Sequence, residues 1–206
     1  MIKSLLFTSL LLCSLHLYSQ SEATYNQAII EYEAYESQHG GFVKTENGLF
    51  HYLEWGNTDL PTLIWIHGSF TNAYEIKPFA EELVAEGYHL IAIDYYGHGK
   101  TPIPDHEVSL YHVADDISAL MDSKEIDKAV IGGWSRGGFI ATAFYDAYPA
   151  KVSGLILEDG GSVATNSHYH QMEAKALSNR VKGLFEDRYF DQQFDSRQEA
   201  YNALYL

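Results

Sequence analysis

The chain has 206 residues, of which 46% are hydrophobic, 14% aromatic and 20% charged. That composition excludes an intrinsically disordered polymer and leaves enough residues for one domain with a sizeable core. Acidic residues number 28 against 13 basic ones, a formal net charge of −15, which argues against nucleic acid or an anionic membrane as partner because phosphate binding needs a basic face.

The opening residues, MIKSLLFTSLLLCSLHLYSQSEA, read as an export signal over residues 1–19. Lys3 supplies the positive start, Leu5 to Leu17 is mostly apolar, and Ser19 is a small residue ahead of a polar stretch. Ser9, Ser14 and His16 interrupt the apolar part, which is short for a bilayer crossing. A buried N-terminal helix is the alternative. Cleavage near Ser19 removes Cys13, the single cysteine, so the exported chain (periplasmic or secreted) is expected to carry no disulfide. Lipid attachment at Cys13 is disfavoured, because Leu12 stands where a small residue is needed.

Residues 20–40 read as a leader helix or loose linker. GGFVKT and LFHYLEWG alternate like two antiparallel strands joined by an ENG turn. TLIWIH (62–67) is a continuous apolar run, the pattern of a strand buried on both faces. Residues 74–87 carry apolar positions at helical spacing and stop at Gly87. YHLIAID (88–94) is a second buried strand. Residues 109–122 form an amphipathic helix with Leu110, Val113, Ile117, Leu120 and Met121 on one side. KAVIGG (128–133) is a third buried strand, residues 136–148 the next helix, and VSGLILED (152–159) a fourth buried strand. Residues 166–206 read as helices rich in Tyr, Gln and Phe. Buried strands alternating with helices predict a mostly parallel sheet covered on both faces, entered by an antiparallel hairpin.

IGGWSRGG (131–138) places Ser135 between a buried strand and a helix, with Gly133 and Gly137 on either side. A G-x-S-x-G elbow in that context lifts a serine hydroxyl above the strand ends, and the glycines remove side chains that would collide in the turn. A plain tight turn with an incidental serine is the alternative. A nucleophilic serine also needs amide donors for the oxyanion it creates. The Arg136 amide is one candidate, and the Ser69 amide, in WIHGSFTN after strand 62–67, is the second. An ordinary strand-to-helix loop would look the same. Phe70 and Trp134 are candidate walls of an acyl pocket, though either could be core packing. Nothing in the pattern asks for a metal or other cofactor.

WIHGSF, IDYYGHGKT and GGWSRGG, in that order and spacing, resemble the α/β-hydrolase superfamily of esterases, lipases and related acyl hydrolases. The likeness covers about residues 41–161. It departs at Tyr96, where Arg is frequent, and at Thr101, where Ser is frequent; both lie in a structural turn. The resemblance implies a serine hydrolase acting on a small ester or other acyl substrate, with an acid and a histidine following the serine in chain order. Asp159, at the tip of strand 152–157, is the candidate acid, with a helix-capping or loop role as the alternative. His67 and His98 belong to motifs that hold loops in the family. His168 and His170 follow strand 152–157 too closely for a histidine delivered later, and as a pair they lack a third metal ligand nearby. The chain is therefore expected to be the first two-thirds of a hydrolase, about six of eight strands. Residues 162–206 would begin a helical cap, with strand 152–157 left as an apolar open edge. A non-catalytic binding module of the same fold is the alternative.

Overall fold

The computed structural model describes residues 22–161, 171–186 and 194–205. They divide into two compact units, the described residues of Gln38–Met172 and those of Met1–Ser37 with Glu173–Leu206. The proposed signal and Cys13 lie outside the described residues. Helix α1 runs over 22–39, so the described part of the leader is helical rather than loose.

Six strands form one sheet in the order β1-β2-β4-β3-β5-β6. They are β1 (Gly40–Lys44), β2 (Leu49–Trp55), β3 (Thr62–Ile66), β4 (His89–Ile93), β5 (Ala129–Trp134) and β6 (Val152–Glu158). The β1–β2 and β2–β4 pairs are antiparallel; β4, β3, β5 and β6 run parallel. A tight turn closes the hairpin, the Thr45 amide donating to the Gly48 carbonyl at 2.8 Å.

The central strands are buried throughout, and the period of two sorts their side chains. Ile64, Ile66, Ile91, Ile93 and Ile131 join the core with Ile117, Leu120 and Met121 of helix α3 (Leu110–Ser123) and Ile140 and Phe144 of helix α4 (Arg136–Ala147). Leu63 and Trp65 face the other way, lining a hollow with Ile76, Phe79 and Leu83 at helix α2 (Lys77–Ala85). The helix expected over 74–87 is broken in two: a 3₁₀ turn, Ala73–Ile76, precedes α2. Pro78 has no amide to offer the Tyr74 carbonyl four residues back, and the Lys77 amide takes that carbonyl instead. The remaining helices of the described residues are α5 (Ala174–Glu186) and α6 (Arg197–Tyr205). Within their unit, the Tyr25 and Tyr201 rings meet edge-on at 5.7 Å.

Strand β6 has the apolar pattern of a strand buried on both faces, yet Leu155, Ile156 and Leu157 are 38%, 44% and 39% exposed, as expected of an apolar open edge. Among the described residues β6 pairs with β5 alone, so it forms the sheet's edge.

At the carboxyl ends of the strands, a buried carboxylate ties three segments together. Asp94 is 2% exposed. One oxygen accepts the Ala73 amide at 2.7 Å; the other accepts His51 Nδ1 at 2.6 Å and the Lys100 amide at 2.9 Å. Burial pushes its carboxyl up, but these donors outweigh burial and hold it below the usual carboxylate range. Gly99 (φ 52°) lies so close that a Cβ there would sit 1.9 Å from Asp94 Oδ2. The Tyr96 hydroxyl, at one of the departing positions, donates to Asp116 of α3.

A depressed carboxylate stabilises the fold above its unfolded pKa, and that contribution is lost as pH falls through the folded value. Asp94→Asn is therefore expected to lower stability by about 3 kcal/mol at pH 7, because donors are left facing an amide. Urea midpoints should show the difference shrinking below about pH 4. Equal midpoints at pH 7 would contradict the role given to Asp94.

Candidate active site

β3, β4 and β5 are level at their carboxyl ends, with Ile66 opposite both Ile93 and Gly133. The segments that leave them meet at one rim of the sheet, where open α/β sheets receive ligands.

Ser135 sits between β5 and α4 with φ 50° and ψ −113°, a conformation unusual for a residue with a Cβ. Its amide donates to the Glu158 carbonyl at 2.7 Å, anchoring the turn to β6. The neighbouring glycines are required by contact. A Cβ on Gly133 would lie 2.3 Å from the Gly137 carbonyl carbon, and one on Gly137 would lie 1.9 Å from the Ile66 carbonyl oxygen. Gly160 presses on the same turn from the segment after β6, its Cβ position falling 2.0 Å from the Ser135 carbonyl oxygen. The strand–elbow–helix arrangement expected around Ser135 is present.

The loop after β3 is braced from beneath. The Gly68 carbonyl accepts His67 Nδ1 at 2.7 Å and the Tyr95 hydroxyl at 3.0 Å, while the Gly68 amide donates to Glu75 at 3.1 Å. The peptide is trans, so with its carbonyl held by His67 and Tyr95 the next amide, that of Ser69, points to the opposite side. Neither the Ser69 nor the Arg136 amide has an acceptor among the described residues. Free main-chain donors beside an elbow serine match what an oxyanion would require.

The other expected residues are placed as follows. Trp134 is 37% exposed, covers Gly68, and lines a cavity of about 280 Å³ with Trp65, Glu75, Phe79 and Glu158. Phe70 is 62% exposed on a left-handed turn with φ 64°. Asp159 is exposed, with φ 50°, directly after β6, and no histidine among the described residues bonds to it. His98 donates Nδ1 to the Tyr96 carbonyl at 3.0 Å and packs against Tyr95. No imidazole among the described residues is hydrogen-bonded to Ser135. His168 and His170 lie outside the described residues.

A family model described as the alpha/beta hydrolase fold matches residues 61–203, more than half of the chain. The chain belongs to the α/β-hydrolase fold family. It is 28% identical over 121 residues to epoxide hydrolase 1 of Caenorhabditis elegans, covering 56% of this chain and 29% of that protein. It is 34% identical over 129 residues to a 2-hydroxy-6-oxononadienedioate/2-hydroxy-6-oxononatrienedioate hydrolase of Dechloromonas aromatica (strain RCB), covering 59% and 44%. A solved structure from work on carboxylesterases of Nitrososphaera gargenis superposes with a TM-score of 0.54 at 25% identity, covering 57% of this chain and 44% of that one. The chain thus spans less than half the length of each of these α/β hydrolases.

Sequence reasoning missed the Tyr95 brace on Gly68. Its signal was present as the aromatic after Asp94 in IDYYGHGKT, but nothing local connects it to residue 68. It also missed that His67 is fully buried, with Nε2 unpaired among the described residues and its ring stacked on Tyr95 at 4.2 Å.

Burial, reinforced by the like charge of His98, pulls the His67 imidazole down from the usual 6.5 to about 4. Between those pH values the unfolded chain binds a proton at this position that the folded chain refuses, so stability falls as pH falls. Residue 67 contributes up to about 3 kcal/mol to that acid loss. His67→Gln, whose amide can still donate to Gly68, is expected to flatten the decline in unfolding free energy between pH 7 and pH 4 by about 2–3 kcal/mol. Parallel curves for the two proteins would show that His67 is not buried in its neutral form.

Proposed function

We propose that this α/β hydrolase is an exported serine hydrolase that cleaves a small carboxylic ester or related acyl compound. Ser135 Oγ attacks the carbonyl carbon, its proton passes to an imidazole base, and the Ser69 and Arg136 amides hold the oxyanion. Collapse of the intermediate breaks the bond to the leaving group and leaves an acyl ester on Ser135. Water then attacks that ester, releasing the acid and restoring the hydroxyl. Trp134 and Phe70 are proposed substrate contacts, and Asp159 is the candidate acid within this chain. No imidazole among the described residues is hydrogen-bonded to Ser135, and the activity is a proposal for the whole protein. Export rests on Lys3 and the apolar run Leu5 to Leu17.

The observation that carries the reading is a strained elbow serine beside two main-chain amides that have no acceptor among the described residues. The serine also favours acyl transfer over the epoxide opening named for one relative. A hydroxyl adding to an oxirane would give an ether, with no carbonyl carbon for water to attack, and the chemistry would stop after one event. An acyl ester is hydrolysed and the enzyme turns over. A second reading, a non-catalytic binding module of the same fold, is favoured by the absence of an imidazole on Ser135 among the described residues.

Incubation with a fluorophosphonate followed by peptide mass spectrometry distinguishes the two. The adduct is expected on Ser135, and Ser135→Ala should lower labelling by about 100-fold or more while the chain stays folded. Equal labelling of both proteins, or adducts only on other residues, would overturn the nucleophile assignment.

A further inference from the structure

Arg136 is used above only through its main-chain amide. Its side chain is exposed at the first turn of α4 and has no carboxylate partner among the described residues. In a chain carrying 28 acidic residues against 13 basic ones, an unpaired guanidinium next to the candidate nucleophile is unexpected for a merely solvated position. Glu75, the carboxylate beside the β3 loop, is occupied: its oxygens accept Trp65 Nε1 and the Gly68 amide, both at 3.1 Å.

Exposed as it is, Arg136 lines a cleft. With Tyr95, His98 and Ser109 it rims an open cleft of about 330 Å³ whose floor includes Val113 and Ile140. The cleft is thus apolar inside and cationic at its rim. Its rim polar groups are partly committed, the Tyr95 hydroxyl to Gly68 and His98 Nδ1 to Tyr96. The guanidinium stays charged at any working pH and offers a planar fork that fits a carboxylate.

We propose that this cleft is a carboxylate subsite, so that the protein prefers acyl substrates bearing a second, free carboxylate joined to the scissile ester by a short apolar chain. The apolar floor takes the chain and Arg136 takes the carboxylate. The proposal rests on Ser135 being the attacking group, because that places the anionic end of the substrate beside the residue following the nucleophile. A cation at this position also offsets the repulsion an anionic substrate meets from a chain of net charge −15.

The test is binding, read without turnover in the Ser135→Ala chain. Monomethyl adipate carries one ester and one carboxylate; dimethyl adipate is the same chain without the charge. Titrations followed by ¹H–¹⁵N shifts should give at least about 10-fold tighter binding for the half-ester, a preference of about 1.4 kcal/mol. Adding Arg136→Met should reduce the preference to within about 2-fold, Arg136→Lys should retain part of it, and raising the salt should weaken it. Circular dichroism of each variant establishes that the fold is kept, and the salt series reads the same charge effect without a side-chain substitution. The proposal is overturned if the half-ester does not bind, if the diester binds as well, or if the preference survives Arg136→Met. None of these results depends on Ser135 reactivity, so a half-ester preference without fluorophosphonate labelling would sink the hydrolase reading and spare the subsite.

Discussion

The first turn of α4 lies against the carbonyl end of β3 with no side chain between them, and the rest of the site follows from that closeness. The Cβ position of Gly137 falls 1.9 Å from the Ile66 carbonyl oxygen, a separation no other residue type can accept without moving the helix. Gly133 and Gly160 impose the same condition from β5 and from the segment after β6. Three strands thereby deliver their ends to one point. The elbow that carries Ser135 comes to rest beside the loop that carries Ser69, with neither the Ser69 nor the Arg136 amide bonded to an acceptor among the described residues. Three of the non-glycine residues with positive φ, Phe70, Ser135 and Asp159, each follow one of these strands. Strain of this kind persists where the surroundings over-determine the backbone, and here it gathers at the rim the chemistry would use.

Holding that rim needs more than glycine. Asp94 is a buried charge whose donors come from β2, from the first residue of the 3₁₀ turn and from the loop after β4. It therefore fixes the segments that flank the β3 loop. The residue that follows it, Tyr95, reaches the Gly68 carbonyl, and His67 reaches it from the other side of the same peptide. Orientation of the Ser69 amide thus passes from a buried carboxylate through adjacent backbone and an aromatic hydroxyl to one peptide plane. The arrangement uses buried polar groups, each costly to leave unpaired, so it is rigid where it is complete. His67 Nε2, without a partner among the described residues, is the exception, and the depressed imidazole pKa reflects that burial.

Much of this was readable in the chain because local pattern and tertiary role coincide. TLIWI and HLIAI are apolar at every position after the first, and strands buried on both faces is what they become. Gly-x-Ser-x-Gly after such a strand specifies a turn that few other sequences can make. Periodicity reports which faces are apolar, not whether a neighbour covers them. VSGLILE carries the same pattern as the central strands, yet its exposure is decided by what pairs with β6. Pro78 broke a helix that spacing alone had made continuous. The Tyr95–Gly68 bond joins residues 27 apart in sequence, and the His51–Asp94 bond residues 43 apart; no local signal announces either. The Arg136 side chain was hidden for a different reason, since its main-chain role in the elbow accounted for its position without it.

The central claim is that the elbow and the braced β3 loop together form a preorganised oxyanion site. A crystal structure of the chain phosphonylated at Ser135 tests it most directly, because the adduct's phosphoryl oxygen stands where the oxyanion would be. The account predicts that oxygen within about 2.7–3.1 Å of both the Ser69 and Arg136 amide nitrogens, with the Gly68 carbonyl still held by His67 and Tyr95. A phosphoryl oxygen turned to solvent, or one reached by neither amide while the elbow is intact, would contradict it.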